Sequence, residues 1–425
     1  MEEVLTGFDF PKEQPAIIKV IGVGGGGGNA VTHMYKEGIA DVTFALCNTD
    51  NQALIKSDIP IKVQLGKTIT NGLGSGNRPE IAKQAAEESI PDIQRLLSDE
   101  TKMVLITAGM GGGTGTGAAP VIAKVAKEMD ILTVGIVTIP FLFEKIPKIL
   151  QALKGVEEMK KNVDALLVIN NERLREIYSD LDIINGFKKA DDILNIAAKS
   201  IAEIITITGI INLDFADVNS TLKEGGVAIM SAGFGEGENR VAQAFESALN
   251  SPLLNNNNAF NSKKILFNIY FSSQKPLMMP EMDDVNDFMA RFNRNIEVIW
   301  GTAIDESLNE KIKVTILATG FNTENIVSFE IRNAQKVLDE EEELIKIKTQ
   351  QEEDEKNSRL LEIYYPGWKT TIGKPTKPKP FIFKSIQQMD DDETINALIN
   401  HPTYNRNANV MIDIVKKAES RRQGE

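Results

Sequence analysis

Two glycine-rich tracts constrain this chain more than any other feature of its sequence. The first, GVGGGGGN at 22–29, ends the β-branched run 16–23, and the second, TAGMGGGTGTGAAP at 107–120, ends the apolar run 103–109. Each tract leads into a helical pattern, so each exposes backbone N–H groups at a helix N-terminus, where anions bind. Because successive glycines destabilise a fold unless another group approaches their backbone closely, the tracts predict two phosphate-binding loops.

The pattern around these tracts predicts an α/β fold. Short apolar runs at 16–23, 41–48, 103–109, 132–139 and 165–170 predict strands, and residues 118–129 and 148–161 show helical spacing between them. Near-continuously apolar strands that alternate with helices are typical of a doubly wound parallel sheet covered on both faces. Residues 190–208 then predict a long central helix, hydrophobic over most of its circumference and therefore buried between two bodies.

A smaller α+β domain is predicted after this helix, from strand-like runs at 225–235, 264–270, 297–301 and 313–319 and a helix at 239–250. The predicted segments are a flexible N-terminus (1–15), a nucleotide-binding domain (16–189), a central helix (190–212), a C-terminal domain (213–320), a charged and Pro/Lys-rich linker (321–389) and a disordered partner-binding tail (390–425).

Composition excludes several classes of protein. A hydrophobic fraction of 42% excludes a wholly disordered chain, and a net charge of −13 argues against nucleic-acid binding, which needs a basic surface. One cysteine (Cys47) and two histidines (His33 and His401) exclude a metal centre rich in these residues. No apolar run approaches the ~20 residues of a membrane span, and the acidic N-terminus is unlike a signal peptide. We therefore expect a soluble cytoplasmic protein without direct membrane insertion.

The first tract alone is ambiguous, because Gly22, Gly24 and Gly27 satisfy G-x-G-x-x-G and Asp50 follows at a suitable distance. That pattern favours a nicotinamide oxidoreductase, which has no need of a second phosphate loop. Two loops, the second adding the hydroxyls of Thr114 and Thr116, suit a triphosphate. Since no G-x-x-x-x-G-K-[ST] is present, backbone dipoles and a cation must meet the phosphate charge.

The run GGGTGTG at 111–117 resembles the signature of the tubulin/FtsZ family. The likeness continues through GVGGGGGNAV (22–31), NTDNQAL (48–54), GLGSGNRPE (72–80), NLDFADV (212–218) and SPLL (251–254), and it covers about residues 16–320. The resemblance implies a tubulin-like fold and a GTPase that polymerises head to tail with itself. It further implies assembly of the division ring at mid-cell, with membrane-tether and regulatory division proteins bound through the tail.

The resemblance also implies roles for particular residues. Phosphate binding falls to Gly25, Gly26, Gly27, Gly28, Asn29, Gly113, Thr114, Gly115 and Thr116, while Gly72 and Gly74 belong to a loop that closes near the γ-phosphate. The remaining roles fall to Glu144 and Lys148 near the ribose, Asn171 and Asp192 at the guanine edge, Phe187 stacked on the base, and Asn212, Asp214 and Asp217 in hydrolysis at the neighbouring subunit. The ligands would be GTP and GDP with Mg²⁺ held mainly by the phosphates, without a protein-built metal site.

Each of these roles has a simpler structural alternative. Phe187 suits an ordinary core position, Asp191 and Asp192 suit acids in the first turn of a helix, and Asn171 suits a turn or an N-cap. Glu144 suits a surface acid, Asp214 a helix cap and Asp217 a solvated carboxylate. His33 and Cys47 are most simply structural.

One stretch departs from the family pattern. The family usually has Gly-Lys-Lys-Arg after Phe-Glu, whereas Lys145-Ile-Pro-Lys148 follows here. Lys148 keeps the positive charge but loses the bidentate fork of arginine, and Pro147 suits the start of a helix. This departure motivates an alternative function, a GTP-binding structural or regulatory filament protein that hydrolyses GTP weakly.

The tail carries a weaker signal. Residues 401–408, HPTYNRNA, loosely resemble the family's C-terminal recognition peptide, and chance similarity in a disordered end is the alternative.

Overall fold

A computed structural model of the chain describes residues 16–178, 182–207, 209–249, 259–293 and 295–321, together with 395, 396 and 399. The chain divides into two compact units, Met1–Leu338 and Asp339–Glu425, and the structure described below belongs to the first. The predicted N-terminal lead-in and nearly all of the predicted linker and tail lie outside the described residues.

The strands within the described residues form one continuous sheet. They are β1 (Ile18–Val23), β2 (Val42–Asn48), β3 (Ile61–Gln64), β4 (Met103–Gly109), β5 (Leu132–Ile139), β6 (Ala165–Asn170), β7 (Gly209–Ile211), β8 (Gly226–Gly235), β9 (Lys264–Phe271), β10 (Glu297–Ile304) and β11 (Ile312–Thr319).

The N-terminal half of the sheet runs in the order β3-β2-β1-β4-β5-β6, and every pair in it is parallel. The chain moves outward from β1 in one direction to β3 and then resumes on the other side of β1 with β4. In open α/β sheets, ligands bind outside the carboxyl ends of the strands at such a switch point. Both glycine tracts begin there, because they follow β1 and β4.

The α-helices of the described residues lie on both faces of the sheet, the last two of them on its C-terminal half. They are α1 (Gly24–Glu37), α2 (Asn51–Lys56), α3 (Lys67–Thr70), α4 (Pro79–Glu88), α5 (Ile90–Leu97), α6 (Gly113–Glu128), α7 (Ile146–Asn162), α8 (Asn171–Ile177), α9 (Ile183–Thr206), α10 (Phe215–Leu222), α11 (Arg240–Leu249) and α12 (Met282–Met289).

Two apolar cores lie on opposite faces of the N-terminal sheet. One is formed by side chains of α1 and α9, such as Met34 and Ile201, and the other by side chains of α5, α6 and α7, such as Ile93 and Ile122. The predicted doubly wound sheet is therefore confirmed. Cys47 is fully buried in β2, and burial raises the pKa of its thiol to about 12, so its predicted structural role is confirmed as well.

The central helix differs from its predicted bounds of 190–212. It begins earlier, at Ile183, where the Asp182 carboxylate accepts a hydrogen bond of 2.9 Å from Asn185 N. Its first turns contain Gly186, Lys188 and Lys189, which interrupt the apolar periodicity. For this reason the segment was not predicted as helical. The helix ends at Thr206, and Gly209–Ile211 form β7, which pairs with β10. As predicted, most of the apolar side chains of this helix are buried.

The C-terminal half contains β8, β11, β9, β10 and β7, with a third core formed by α11, α12 and one sheet face. Its strands correspond to those predicted, except that β7 was not foreseen. The halves join through a short parallel pairing of β6 with β8, at Ala165↔Gly226 and Leu166↔Val227. No pattern in the amino-acid sequence predicts this junction.

Candidate functional site

The two glycine loops lie against each other at the sheet switch point. Val23 pairs with Ala108, so β1 and β4 deliver their loops side by side. A side chain at Gly24 would place its Cβ 3.0 Å from Gly115 N, and one at Gly27 would place it 2.2 Å from Thr107 O. Glycine at these two positions therefore allows the loops to pack, while Gly25 and Gly26 lie exposed beside them.

Three hydroxyl groups meet at the N-terminus of α6. Thr114 Oγ1 lies 2.7 Å from Thr49 Oγ1 and 3.3 Å from Ser75 Oγ. Thr116, which is also predicted to bind phosphate, accepts a buried hydrogen bond of 2.9 Å from Gly111 N. The structure thus gives the Thr116 hydroxyl a role in shaping the loop.

The loop 72–76 covers the start of α6. Gly72 and Gly74 have φ angles of 74° and 86°, which favour glycine. Gly74 N donates to Thr49 O at 3.2 Å, and a Cβ at Gly113 would lie only 2.2 Å from Ser75 Oγ. The predicted closing loop therefore lies directly against the second phosphate loop.

The candidate base-reading residues come from α1, α8 and α9. Asp192 Oδ1 lies 2.9 Å from His33 Nε2, and both side chains are about half exposed. Asn171 is the first residue of α8 and is buried, and its Oδ1 has no hydrogen-bond partner among the described residues. Asn170, one residue earlier, is the N-cap that the sequence suggested for Asn171. A buried acceptor without a partner is unfavourable unless a ligand satisfies it.

The alternative that Asp191 and Asp192 complement a helix dipole is wrong. They lie well inside α9, which begins at Ile183. The pKa of Asp191 is raised to about 6, chiefly by burial; the charge of His33 opposes this shift and the charge of the neighbouring Asp192 adds to it. Phe187 belongs to the early turns of α9, and its side chain lies outside the described part of the structure.

Glu144 and Lys148 bind each other. Glu144 is mostly buried, accepts a hydrogen bond of 3.0 Å from Phe141 N and forms an ion pair with Lys148. Lys148 lies on α7, which begins at Ile146 with Pro147 in its first turn, as predicted. Sequence analysis did not foresee this pair.

Asp214 and Asp217 cap α10 reciprocally. Asp214 Oδ1 accepts hydrogen bonds from Ala216 N and Asp217 N, at 2.8 and 3.1 Å, and Asp217 Oδ2 accepts one of 3.0 Å from Asp214 N. The other oxygen of each carboxylate makes no hydrogen bond with a described residue. Asn212 is exposed, and its Oδ1 accepts from Gly209 N at 3.0 Å. The capping alternative is therefore correct for Asp214, whereas Asp217, for which the alternative was a solvated carboxylate, is half-buried and also takes part in the cap. One oxygen of each acid stays available to a partner.

These acids lie far from the base-reading residues along α9. From Asp192 to the end of the helix at Thr206 there are 14 residues, about 21 Å of helix. The structure thus brings together the phosphate loops, loop 72–76 and the base-reading residues, but it places Asn212, Asp214 and Asp217 at the other end of the helix.

A cleft of about 370 Å³ between α1 and α2 opens beside the first glycine loop. In a dinucleotide enzyme an acid at the position of Asp50 would hold a ribose. Here Asp50 Oδ1 instead caps α2, accepting from Gln52 N and Ala53 N at 2.8 and 3.2 Å. The arrangement gives no support to the oxidoreductase alternative.

Sequence analysis missed several residues that support the site. Thr49 and Ser75 lie inside the quoted motifs but were not singled out, although Ser75 is flanked by glycines and a hydroxyl in that setting is a usable signal. Gln151 Nε2 donates to Gly111 O and Gly112 O at 3.0 and 3.3 Å and so fixes the second loop from α7. Nothing in the local sequence indicated this long-range contact.

The fold and the site together define a class of protein. A doubly wound sheet presents two glycine loops, a hydroxyl cluster and a set of base-reading polar groups at its switch point. No lysine of the Walker type is present in the sequence. These features are typical of an α/β protein that binds a nucleotide at the switch point of its sheet.

Comparisons with known proteins point to the same class of protein. Residues 17–179 match the Tubulin/FtsZ family GTPase domain, and residues 226–322 match the FtsZ family C-terminal domain. The cell division protein FtsZ of Porphyromonas gingivalis is 52% identical over 410 residues, covering 96% of this chain and 89% of that protein. FtsZ of Aquifex aeolicus is 43% identical over 333 residues, covering 77% of this chain and 89% of that protein.

A solved structure of an FtsZ dimer from M. jannaschii matches with a TM-score of 0.66 and 39% identity, covering 72% of this chain and 88% of that one. CetZ2 from Haloferax volcanii matches with the same TM-score at 20% identity, covering 76% and 99%, which shows the fold alone. The chain belongs to the tubulin/FtsZ family, with an FtsZ-type C-terminal domain, and the resemblance and tubulin-like fold inferred from its motifs are confirmed.

Proposed function

We propose that this chain is a guanosine triphosphatase that assembles head to tail into filaments of the cytoplasmic division ring at mid-cell. Each catalytic site is shared between two stacked subunits. The observation that carries this proposal is the separation by α9 of the phosphate loops from Asp214 and Asp217. The family's GTPase domain and the names of the relatives, cell division proteins, support the same function.

In the proposed site, backbone N–H groups of residues 25–29 and 113–115 hold the phosphates, and Gly72 and Gly74 let their loop close over them. Asp192 and Asn171 read the guanine edge, and Phe187 stacks on the base. An ionised carboxylate accepts from the N1–H and N2–H₂ donors of guanine, a pair that adenine lacks. Glu144 and Lys148 flank the ribose. The unpartnered Asn171 Oδ1 supports a ligand at this position.

Asp214 and Asp217 act on the nucleotide of the neighbouring subunit, with Asn212 beside them. Each acid offers one oxygen that the cap of α10 does not use. Two carboxylates that form no ion pair with a described residue suit the orientation of a water molecule near a phosphate. Because the caps fix both side chains, the acids are positioned before the neighbour arrives.

Two sets of exposed apolar residues support head-to-tail stacking. Leu73, Leu142 and Phe143 are 52–83% exposed on loops at the carboxyl edge of the N-terminal sheet, around the phosphate loops. Phe234, Met278, Met279 and Ile304 are 42–83% exposed at one end of the C-terminal sheet.

The sheet register brings the second set together. Phe234 is next to last in β8, Ile304 ends β10 opposite Phe271, and the loop of Met278 follows β9. Ile211, which pairs with Thr302 near this end of β10, leads directly into Asn212. The two apolar sets would therefore face each other across the subunit contact and exclude water from the shared site.

Mg²⁺ enters the proposal through the nucleotide. In the part of the chain that the structure describes, no cluster of three or more His, Cys, Asp and Glu side chains could hold a metal ion. Mg²⁺ keeps several waters and takes substrate phosphates as ligands in such sites, so the phosphates of GTP would supply its main ligands. Bound there, it would neutralise phosphate charge.

We keep the predicted domain roles as part of the proposal. Residues 16–189 bind the nucleotide, the central helix (190–212) joins the two domains, and 213–320 present the acids and the second apolar set. Residues 321–389 act as a tether and 390–425 bind division partners. Among the described residues, no helix has the length and apolar character needed to cross a bilayer.

Phosphate release against protein concentration tests the shared site. With GTP and Mg²⁺, we expect almost no release below a threshold and a linear rise above it, with light scattering that appears at the same threshold and not with GDP. Release proportional to protein from the lowest concentration would contradict a shared site. Scattering with a threshold but little release would favour the weakly hydrolysing filament protein.

A second test concerns the tail. Deleting 390–425 should leave GTP-driven assembly intact and abolish co-sedimentation with membrane-tether proteins. A chain of the same length whose residues 390–425 are scrambled is the matched control for the loss of mass and charge. Loss of assembly itself would show that the segment belongs to the folded core.

A further inference from the structure

Asp192 is poorly constrained by its own helix. Its side chain is 40% exposed, and the torsion that turns a carboxylate is broad, so the plane of the group is not fixed by rotamer preference. Lys189 Nζ lies 4.0 Å from Oδ2, too far for a hydrogen bond, and it also lies 4.9 Å from the centre of the Tyr178 ring. Reading guanine requires both carboxylate oxygens in the plane of the base.

His33 supplies the missing constraint from another helix. Its Nε2 lies 2.9 Å from Asp192 Oδ1, and no other described residue has a nitrogen within hydrogen-bond distance of this carboxylate. A carboxylate oxygen has two lone-pair sites. Oδ1 can therefore keep its contact with His33 while it accepts a proton donor of guanine.

We infer that His33 positions the Asp192 carboxylate for guanine and so sets how strongly the site prefers guanine over a base without the N2 amino group. The inference rests on the proposed GTP function. His33 is a positioning residue, because it acts through Asp192.

The place of His33 on α1 gives this contact a second consequence. His33 lies four residues after Asn29, so both side chains share one face of the helix that begins at the first phosphate loop. The contact with Asp192 therefore ties the helix of the phosphate loop to the helix that reads the base. Displacement of either helix would change both parts of the site together.

The charges around the contact favour a positioning role. Asp191 and Asp192 are adjacent carboxyl groups on α9, and like charges at this separation repel. His33 contacts Asp192, and its charge also lowers the pKa of Asp191 and so favours the charged form of that carboxyl group. Without the imidazole, the Asp192 carboxylate would turn toward solvent, away from Asp191. The orientation that presents both of its oxygens to guanine would then be populated less often.

The test compares two replacements of similar size in the full chain. His33→Gln keeps an N–H donor, whereas His33→Phe keeps the ring volume without one. Lys36→Ala, three residues farther along α1, is the control, because Lys36 is exposed and forms no ion pair with a described residue. KM and kcat for phosphate release are measured with GTP and with inosine triphosphate, which lacks the N2 amino group, and thermal melting verifies folding.

We expect His33→Phe to raise the KM for GTP by about two- to fivefold, the range for contacts between half-exposed groups. The KM for inosine triphosphate should rise less, so the preference for GTP falls. At saturating nucleotide kcat should stay near that of the natural chain, since the acids come from the neighbour. His33→Gln should restore the preference, and Lys36→Ala should match the natural chain.

Three results would overturn the inference. An unchanged preference for GTP in His33→Phe would show that Asp192 needs no positioning. A lower KM for GTP would show that His33 competes with guanine for Asp192. Loss of the preference for GTP in both His33→Phe and His33→Gln, together with lower melting temperatures, would show that His33 has a purely structural role. Asp192→Ala separates this from the proposed function: if that variant also keeps the natural preference, the base assignment itself is wrong.

Discussion

Lys145 adopts a backbone conformation that suits glycine, with φ 75° and ψ 151°. It stands where the family usually has glycine, immediately after Glu144. This region of backbone space is strained for a residue with a side chain, by about 1–3 kcal/mol. The strain lies in the loop that carries Glu144 toward the proposed ribose position. The departure from the family pattern therefore strains the backbone at Lys145, in addition to replacing the family's arginine with Lys148.

We therefore predict that Lys145→Gly stabilises the chain. The gain should be about 1 kcal/mol, because the relief of strain is partly offset by the greater freedom of glycine in the unfolded state. Urea unfolding of the nucleotide-free protein measures it. Lys102→Gly, at an exposed position outside helices and strands, is the control and should be neutral or slightly destabilising. A lower unfolding midpoint for Lys145→Gly would contradict the strain.

Asp191 gives the stability a pH dependence of a defined sign. Burial raises its pKa to about 6 from 3.8, so between these values the folded state binds the proton more readily than the unfolded state. Its contribution to stability is present below pH 3.8 and is lost as the pH rises through about 6.

Asp191→Asn, which cannot ionise, should therefore be more stable than the natural chain above pH 6. The gain should be about 1 kcal/mol after allowance for solvent screening, and it should shrink toward pH 4. Thermal midpoints of both nucleotide-free proteins across this range provide the measurement. An equal or lower midpoint for the variant at pH 7 would show that the Asp191 carboxylate is not destabilised by burial.

At the scale of elements, the glycines of α6 differ sharply in their surroundings. A Cβ at Gly113 would lie 2.2 Å from Ser75 Oγ and 2.8 Å from Arg78 N, whereas one at Gly112 would meet nothing within 4 Å. Neighbouring glycines in one motif thus serve different purposes. Gly113 permits loop 72–76 to pack on the helix, and Gly112 leaves open space at the loop surface.

Gly113→Ala should destabilise the nucleotide-free chain by about 2 kcal/mol, since the added methyl group forces the loop outward. Gly112→Ala should change the free energy of unfolding by less than about 1 kcal/mol. Proteolysis within loop 72–76 should accelerate in the first variant only. Equal effects of the two substitutions would mean that the loop does not pack on α6 as described.

The elements also show what could be predicted from sequence. Strands of the N-terminal sheet such as β4 and β5 are buried on both faces, so their apolar runs mark their bounds well. The strands β3 and β7 are short and partly exposed, and they left no comparable signal. The start of α9 was missed because Gly186 and its lysines break the period. The glycine loops could be recognised locally, whereas contacts such as Gln151 with Gly111 depend on distant parts of the chain.

At the scale of the whole molecule, the continuous sheet and α9 hold two half-sites apart. The phosphate loops lie at one switch point, and Asp214 and Asp217 lie beyond about 21 Å of helix. In the proposed mechanism a single subunit therefore does not complete its own catalytic site. Contacts between unlike surfaces without a closing rotation generate open filaments, so the proposed division of the site would also account for polymerisation.

The central claim is that catalysis is divided between subunits, and mixing two inactive variants tests it most directly. The Asp214→Ala variant keeps the nucleotide pocket but lacks one of the two acids. The Thr114→Phe variant has a blocked nucleotide pocket but keeps both Asp214 and Asp217. Each should release little phosphate alone. In an equal, random copolymer about one interface in four joins an intact pocket to intact acids, so the mixture should recover up to about a quarter of natural turnover. A mixture that copolymerises, as sedimentation would show, yet releases phosphate only at the sum of the separate rates would contradict the shared site.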